Sequence, residues 1–230
     1  MTNRTAAARR TSAAPSGTPL LGGVYTGIEA YYAAKLARYG AIPPGVDWSC
    51  EATQRLRFVQ LLKLCAFDAP FSLNDVGCGY GALSVFMAER YPDCQVDYLG
   101  IDIAPSMVRR ARRRHRGEPN VRFAVGRSIP RQADYAVASG IMNVKLDQPL
   151  DLWEFFVRTT LVDMHRTSRL GFAVNFMASP TPDAPPGQLY CPAPETWIRF
   201  CQETLGCSVA VLSDYGMREY TLHVRRLPPD

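Results

Sequence analysis

The segment FSLNDVGCGYGALSVFMAERY, residues 71–91, constrains the fold more than any other part of the chain. FSLNDV is a short apolar run with the length of a buried strand, and GALSVFMAERY is typical of a helix. Between them Gly77, Gly79 and Gly81 permit a tight turn, and they leave the main chain open to a ligand that side chains would block. The first turn of the next helix offers unpaired N–H groups. The segment therefore predicts a strand–turn–helix unit that binds a nucleotide-like ligand.

Strand-like and helical segments continue to alternate after this unit. Strands are predicted at 95–102, 121–125, 133–140 and 169–177, and helices at 105–115, 150–165 and 195–205. No clear helix separates the strand at 121–125 from the one at 133–140. Two final strand-like runs around Gly216 predict a β-hairpin. This order predicts an α/β fold with a doubly wound, seven-stranded, mostly parallel sheet in which the terminal hairpin places one antiparallel strand.

The domain organisation follows from length and composition. Residues 1–22 are rich in Ala, Ser, Thr and Arg, and we expect a disordered basic tail there. Residues 23–230 predict a single domain, with a helical N-terminal part at 23–68 and the core at 69–230. No apolar run approaches the ~20 residues of a membrane span, and the tail lacks the apolar centre of a secretory signal. We therefore expect a protein that does not insert into membranes.

Charge and cysteine content narrow the class further. The net charge is +5, but the tail holds three arginines and residues 109–116, RRARRRHR, hold six, so the remaining residues carry a net charge of −4. We expect the arginine run to be a solvated helix face, and nucleic acid is not the favoured partner. Seven cysteines without a C-x-x-C pair predict free, mostly buried thiols in a reducing cytoplasm, with no metal site.

The glycine loop alone leaves two ligand classes open. Gly77, Gly79 and Ala82 satisfy the dinucleotide pattern, so a nicotinamide or flavin enzyme must be considered. Asp102 ends the next strand and is suited to binding both ribose hydroxyls of either an NAD or another adenosine ligand. Asp75, two residues before the first glycine, would repel a pyrophosphate but favour a ligand with a positive amine. The combination favours S-adenosylmethionine, a cationic, phosphate-free adenosine ligand.

With these residues the chain resembles the class I S-adenosylmethionine-dependent methyltransferases, in a bacterial small-molecule type. The glycine loop, YLGIDIAPSM, FAVGRS and ADYAVASGIMN carry the resemblance, which covers roughly residues 71–177 and extends to the closing hairpin. It implies that S-adenosylmethionine is the cofactor. Many relatives carry an acid at the position of Arg127, so Ser128 or a backbone group would have to contact the adenine amino group here.

The resemblance implies a set of cofactor-binding residues at the turn and at the ends of the next strands. These are Asp75, Gly77, Cys78, Gly79, Gly81, Asp102, Ile103, Met107, Gly126, Arg127, Ser128 and Ser139. It also implies that residues 23–68 form a lid over the cofactor and acceptor. In that lid we expect Trp48 to wall the site and Arg57 to pair with the methionine carboxylate.

The acceptor residues are less defined by the resemblance. Tyr31 and Tyr32 in the lid and Asn143 and Lys145 after the fourth strand are the candidate substrate contacts, and His165 and Tyr190 are the candidate general bases. There is no Asn/Asp-Pro-Pro-Tyr/Phe motif after the fourth strand, which disfavours methylation of DNA or of a glutamine amide.

These features together predict an enzyme that transfers a methyl group by in-line displacement to an oxygen or nitrogen of a small metabolite or natural product. Two alternatives stay open: an RNA or protein methyltransferase that uses the basic segment 109–116, and a non-methylating member that keeps the cofactor site. A nicotinamide oxidoreductase is a remaining minor alternative. The oligomeric state is open, with a homodimer as one option.

Overall fold

A computed structural model describes residues 18–180 and 185–227 of the protein, with side chains from residue 21 onward. The N-terminal part consists of α1 (Thr18–Tyr39), a 3-10 helix (Pro43–Val46) and α2 (Glu51–Leu62). Because α1 begins at Thr18, residues 18–22 are helical and the prediction of a tail up to residue 22 is wrong for them. The rest of the predicted tail lies outside the described residues.

The core alternates strands and helices as the sequence predicts. Its elements are β1 (Phe71–Val76), α3 (Ala82–Arg90), β2 (Val96–Asp102), α4 (Pro105–Arg114), β3 (Val121–Val125), β4 (Ala133–Ala138), α5 (Leu150–Thr167), β5 (Ser168–Met177), α6 (Pro194–Arg199) with a following π-helical turn (Phe200–Thr204), β6 (Cys207–Leu212) and β7 (Glu219–Arg226). The predicted helix over 195–205 is thus an α-helix that widens into a π-helical turn.

The strands form one seven-stranded sheet in the order β3-β2-β1-β4-β5-β7-β6. The pairs from β3 to β5 are parallel, and β7 runs antiparallel to both β5 and β6. The predicted fold, including the antiparallel hairpin strand, is therefore confirmed. The chain reverses its direction of sheet growth between β1 and β4, and ligands of open α/β sheets bind at such a switch point, beyond the carboxyl ends of the strands.

Apolar side chains cover both faces of the sheet because residues alternate between faces along each strand. In β4, Tyr135 and Val137 join a core formed with α2, α3 and α4, whereas Ala136 and Ala138 join a core formed with α1, α5 and α6. The connection from β3 to β4 contains no helix, as the sequence predicts. Helix α1 covers that part of the sheet instead, and Tyr25 packs edge-on against Phe156 of α5 at 5.8 Å.

Two further expectations concern membrane-spanning helices and the burial of the cysteines. Within residues 18–180 and 185–227 no helix is both long and apolar enough to cross a membrane. All seven cysteines are free, but only Cys78, Cys201 and Cys207 are fully buried, so the expectation of mostly buried thiols is too broad.

Candidate active site

A cavity of about 300 Å³ lies at the carboxyl ends of β1, β2 and β4, beside the switch point. Its floor contains the predicted ligand residues at the strand ends. Its cover consists of aromatic and aliphatic side chains from α1 and from the segment before α2. The residues that line it and that the sequence predicts as site residues are Tyr32, Trp48, Asp75, Gly77, Cys78, Gly79, Asp102, Ile103, Met107, Gly126, Arg127, Ser128 and Ser139.

The glycine loop is tied to the neighbouring strand at the edge of this cavity. The N–H groups of Gly77 and Cys78 both donate to the carbonyl of Ile101, at 2.7 and 3.1 Å. Gly77, Gly79 and Gly81 all have positive φ, a conformation that side chains disfavour. A methyl group built on Gly77 would lie 2.1 Å from Ile141. Glycine at position 77 therefore keeps the loop in contact with the chain that follows β4.

Gly81 lies outside the cavity lining and contacts the back of the loop. The carbonyl of Gly81 is 3.0 Å from Nε2 of His115, whose Nδ1 is 3.0 Å from the carboxylate of Glu118. His115 is therefore buried, and the expectation that it is exposed with the arginine run is wrong. A methyl group on Gly81 would lie 2.9 Å from His115 and 3.0 Å from Phe123. The third glycine thus serves loop packing.

We expect Gly81→Ala to lower the free energy of unfolding by about 1–3 kcal/mol, because both the positive φ and the contact with His115 oppose a side chain. Gly117→Ala is the matched control, since Gly117 also has positive φ but no heavy atom within 4 Å of the added methyl. Urea unfolding of the two variants measures the difference. Equal losses in the two variants would contradict the packing role.

Asp75 lies at the end of β1, buried against β2. The hydroxyl of Tyr98 donates to Oδ2 of Asp75 at 2.5 Å, and Asp75 is one of the residues that line the cavity. Burial, with a smaller contribution from the charge of Asp102, raises the pKa of Asp75 to about 7 against the opposing effect of the hydrogen bond from Tyr98. A cationic ligand group beside this carboxyl group would favour its ionised form.

Asp102 ends β2 and organises the chain on both sides of it. Its Oδ2 accepts the N–H of Gly79 at 2.9 Å, and its Oδ1 accepts the N–H of Ala104 at 2.8 Å. Burial raises the pKa of Asp102 to about 6, and these two backbone hydrogen bonds act in the opposite direction. Each carboxylate oxygen has a further lone pair, so Asp102 can also accept hydrogen bonds from a ligand in the cavity.

The cavity is also lined by an acid, close to the chain that follows β3, that the sequence did not indicate. Asp163 of α5 lines the cavity, and its Oδ2 accepts the N–H of Ile129 at 2.7 Å. The guanidinium of Arg127 lies 5.0 Å from the ring of Tyr25. Because no helix follows β3, α5 can reach this end of the cavity. The sequence indicates that no helix separates β3 from β4, but it does not indicate which element packs there instead.

Other cavity-lining residues from α1 and α5 were also missed. They include Tyr25, Ile28, Phe156, Thr159 and Thr160. The aromatic residues of α1 were noticed in the sequence, but their helical spacing does not tell which of them face the core and which face a cavity.

Arg57 is not a cavity-lining residue, so its predicted pairing with a cofactor carboxylate is contradicted. Its guanidinium forms a buried pair with the carboxylate of Glu219 at the start of β7, and Nε donates to the two carboxylate oxygens at 2.8 and 2.7 Å. Tyr31 is also outside the cavity lining and packs edge-on against Tyr32 at 5.2 Å. Tyr32 itself lines the cavity, and burial raises the pKa of its phenol, so it is a neutral hydroxyl.

The two residues predicted after β4 serve the local chain and not the cavity. Oδ1 of Asn143 accepts the N–H of Met177, and the side chain is buried. Nζ of Lys145 donates to the carbonyls of Leu146 and Gln148 at 3.2 and 3.0 Å. The loop turns back on itself and uses both side chains to satisfy backbone groups, and their role in substrate contact stays a prediction.

Neither predicted general base reaches the cavity. Nδ1 of His165 is 3.4 Å from the sulfur of Cys207 in β6, and burial together with the charge of Arg226 lowers its pKa. The buried hydroxyl of Tyr190 donates to Glu154 at 3.2 Å, and burial raises its pKa far above the usual range. These side chains face β6 and α5, so the structure does not bring them to the cavity, and their roles as general bases stay predictions.

Comparison with known proteins agrees with the geometry. The profile of a methyltransferase domain family matches residues 74–151. A candidate methyltransferase of Mycobacterium tuberculosis, Rv1506c, is 42% identical over 159 residues, which cover 68% of this chain and 94% of the relative. The malonyl-[acyl-carrier protein] O-methyltransferase of Acetivibrio thermocellus is 28% identical over 63% of this chain and 56% of its own length.

A solved structure shares the fold over almost the whole chain. The magnesium protoporphyrin IX methyltransferase of Synechocystis, with bound S-adenosylmethionine, superposes with a TM-score of 0.51 over 94% of this chain and 86% of its own, at 14% identity. The chain belongs to the class I S-adenosylmethionine-dependent methyltransferases. It is an enzyme of that superfamily, and its cofactor is S-adenosylmethionine.

The residues present fit this cofactor. The hydroxyl of Ser139, at the edge of the cavity, is buried and has no hydrogen-bond partner among the described residues. Asp75 and Asp102 add two buried carboxyl groups on the same floor. A ligand that carries an amine and hydroxyl groups would satisfy all three, whereas a pyrophosphate beside Asp75 and Asp102 would be repelled by two acids.

Proposed function

We propose that the protein transfers the methyl group of S-adenosylmethionine to an oxygen or nitrogen atom of a small-molecule acceptor. The observation that carries this proposal is the cover of the cavity. Tyr25, Ile28, Tyr32 and Trp48 line a cavity of about 300 Å³, a size that suits small ligands. One relative, by its name, methylates an oxygen of malonyl-[acyl-carrier protein], which supports an oxygen atom as the acceptor.

The sheet order suggests how the cofactor is held. From β3 through β2 and β1 to β4, the cavity floor presents Ser128, then Asp102, then Asp75, then Ser139. We assign Asp102 to the ribose hydroxyls and Asp75 to the methionine amine, so the adenine lies toward β3. When bound, S-adenosylmethionine supplies a methyl group on a positively charged sulfur. The apolar cover excludes water, and alignment of the acceptor provides most of the catalysis that this chain contributes.

Proton removal is not assigned to any residue of the cavity. Tyr32 is neutral, and burial also raises the pKa of the Cys78 thiol far above its usual range. A thioether leaving group needs no proton, so an acceptor that is already ionised or carries a free lone pair requires no general base. A carboxylate oxygen or an amine nitrogen is therefore the acceptor that this cavity suits best.

Labelled methyl transfer tests the acceptor class. A cell extract is separated into small molecules, RNA and protein, and each fraction is incubated with the enzyme and methyl-labelled S-adenosylmethionine. The proposal expects label in the small-molecule fraction, and the Asp75→Asn variant provides the background. Label confined to RNA or protein would overturn it and would favour the exposed arginines of α4 as an acceptor-binding surface.

We also propose that Asp163 accepts a hydrogen bond from the adenine amino group, the role that Ser128 or a backbone group was expected to fill. Asp163→Ala should weaken binding of S-adenosylhomocysteine about 10- to 150-fold, the effect of losing one hydrogen bond to a charged acceptor. The same variant should bind the analogue that has hydrogen in place of the amino group as well as the parent does. An equal loss for both ligands, measured by calorimetry, would reduce Asp163 to support of the Ile129 backbone.

A further inference from the structure

Five residues from the N-terminal part and from the far side of the sheet form a closed ring of contacts. The guanidinium of Arg57 lies 3.8 Å from the ring centre of Trp48, and it pairs with Glu219. Oε2 of Glu219 accepts from the side-chain amide of Asn175 at 2.9 Å, and Oδ1 of Asn175 accepts the N–H of Gly140 at 2.7 Å. Gly140 closes the ring, because a methyl group built on it would lie 2.3 Å from the indole of Trp48. We call these five residues the Trp48 ring.

The Trp48 ring joins elements that are far apart in the sequence. Trp48 and Arg57 belong to the N-terminal part, whereas Gly140 follows β4, Asn175 lies in β5 and Glu219 begins β7. Arg57, Asn175 and Glu219 are 8, 0 and 3% exposed. Because buried charges are costly unless they are paired and hydrogen-bonded, separation of Arg57 from Glu219 would be strongly unfavourable. Of the five residues, only Trp48 and Gly140 line the cavity.

The position of Trp48 follows from the sheet order. If the ribose lies at β2 and the methionine at β1, the next strand in that direction is β4, whose end carries Gly140. Neighbouring parallel strands are about 4.8 Å apart, so Trp48 stands within one or two strand spacings of the methionine part of the cofactor. This is the side from which an acceptor has to approach the methyl group, since the adenine occupies the other side.

We propose that Arg57 and Glu219 are positioning residues that hold Trp48 against Gly140 as the wall of the cavity at the methyl-donor end. This inference rests on the proposed placement of S-adenosylmethionine. It adds the contacts that keep the N-terminal lid, residues 23–68, closed over the cofactor. The flat guanidinium stacks on the indole, and the carboxylate fixes the guanidinium to the sheet. Glycine is required at 140 because the indole occupies the place of a side chain.

Trp48 provides its own spectroscopic signal for a test. The chain has three tryptophans, and Trp153 and Trp197 are 0 and 1% exposed, so quenching by acrylamide reports mainly on half-buried Trp48. In the double variant Arg57→Met, Glu219→Gln no unpaired charge remains, and glutamine can still accept from Asn175. We expect the quenching constant to rise about two- to fivefold and the affinity for S-adenosylhomocysteine to fall about tenfold.

Combination with Trp48→Phe separates positioning from a general structural role. Trp48→Phe alone should weaken binding of S-adenosylhomocysteine by about tenfold, and the triple variant should be no weaker than either parent variant, because the pair acts through Trp48. The matched control is Arg169→Met, Asp134→Asn, which removes an ion pair near the amino ends of β4 and β5 and should change neither quenching nor affinity. Circular dichroism and thermal unfolding confirm that each variant is folded.

The outcomes distinguish this inference from the function on which it rests. Unchanged quenching in the double variant, or losses that multiply to about a hundredfold in the triple variant, would overturn the positioning role while the cofactor site stands. Failure of the unmodified protein to bind S-adenosylhomocysteine would instead overturn the placement of the cofactor. The Arg57→Lys variant keeps a positive charge at this position. A quenching constant as low as that of the unmodified protein would support the contact between the cation and the indole of Trp48.

Discussion

Asp75→Asn is expected to weaken the binding of S-adenosylmethionine about 30- to 1,000-fold, which corresponds to about 2–4 kcal/mol. The substitution keeps the size of the side chain but removes the negative charge that we assign to the methionine amine. The carboxyl group is buried, and Asp75 lines the cavity. Calorimetry of the cofactor and of S-adenosylhomocysteine measures the loss. An affinity within threefold of the unmodified protein would contradict the assignment.

The pH dependence provides an independent check on the same carboxyl group. Burial raises the pKa of Asp75 to about 7 in the unliganded protein, so the group is largely protonated at pH 6. Because the bound amine requires the carboxylate, affinity for S-adenosylhomocysteine should rise from pH 5.5 to 7.5. In Asp75→Asn the part of this rise near pH 7 should disappear. The part near pH 6 should remain, because Asp102 titrates there.

The stability of the unliganded protein should respond in the opposite sense. A carboxyl group whose pKa is higher in the folded state than in the unfolded state, near 4, stabilises the fold relatively more when it is protonated. Its contribution is therefore lost as pH rises from about 4 to about 7. Asp75→Asn should abolish this loss, so the variant is expected to be at least as stable as the parent above pH 7 while it binds the cofactor worse. Tyr98→Phe removes the hydrogen bond from Tyr98 to Asp75 and keeps the carboxyl group, so it separates the effect of that hydrogen bond from the effect of the charge.

Asp102→Ala is expected to lower cofactor affinity about 100-fold or more, because the carboxylate has two roles. It accepts the N–H groups of Gly79 and Ala104, which hold the glycine loop and the chain after β2 in place. We also assign it to the ribose hydroxyls. Removal leaves two buried donors without a partner and removes the ribose contacts, each at a cost of about 1–3 kcal/mol.

A ligand without ribose hydroxyls separates the two roles of Asp102. The parent should prefer S-adenosylhomocysteine over its 2′,3′-dideoxy analogue by about tenfold or more, and Asp102→Ala should lose most of that preference. Asp102→Asn should be intermediate, since an amide retains one acceptor oxygen. If the alanine variant keeps the full preference, Asp102 only supports the loop and the ribose contact lies elsewhere.

The parts of the site that the sequence predicts correctly depend on a few neighbouring residues. Asp75 and the three glycines lie within seven positions, so their geometry is decided by the local chain and by the strand that precedes them. Asp102 and the residues after β3 follow the same rule, because each stands directly at the end of a parallel strand. Since parallel strands end at one edge of the sheet, such residues converge without any knowledge of their partners.

The predicted site residues that the structure does not bring to the cavity are side chains whose partners are distant in the sequence. Arg57 pairs with Glu219, which is 162 positions away, and the hydroxyl of Tyr190 finds Glu154 on α5. Nothing near Arg57 in the sequence indicates that β7 begins with a buried acid. The position of His165 was predicted correctly as the end of a helix, but the direction of its side chain depends on how α5 packs against β6.

The absence of a helix between β3 and β4 has a consequence for how this enzyme can change its acceptor. One wall of the cavity comes from α1, which precedes the catalytic core and contributes no strand-end ligand. Substitutions in Tyr25, Ile28 or Tyr32 can therefore reshape the space beside the cofactor without disturbing the carboxyl groups that hold it. On the proposed placement of the acceptor, substitutions in the cover from α1 and at Trp48 would alter acceptor preference while the carboxyl groups at the strand ends stay in place.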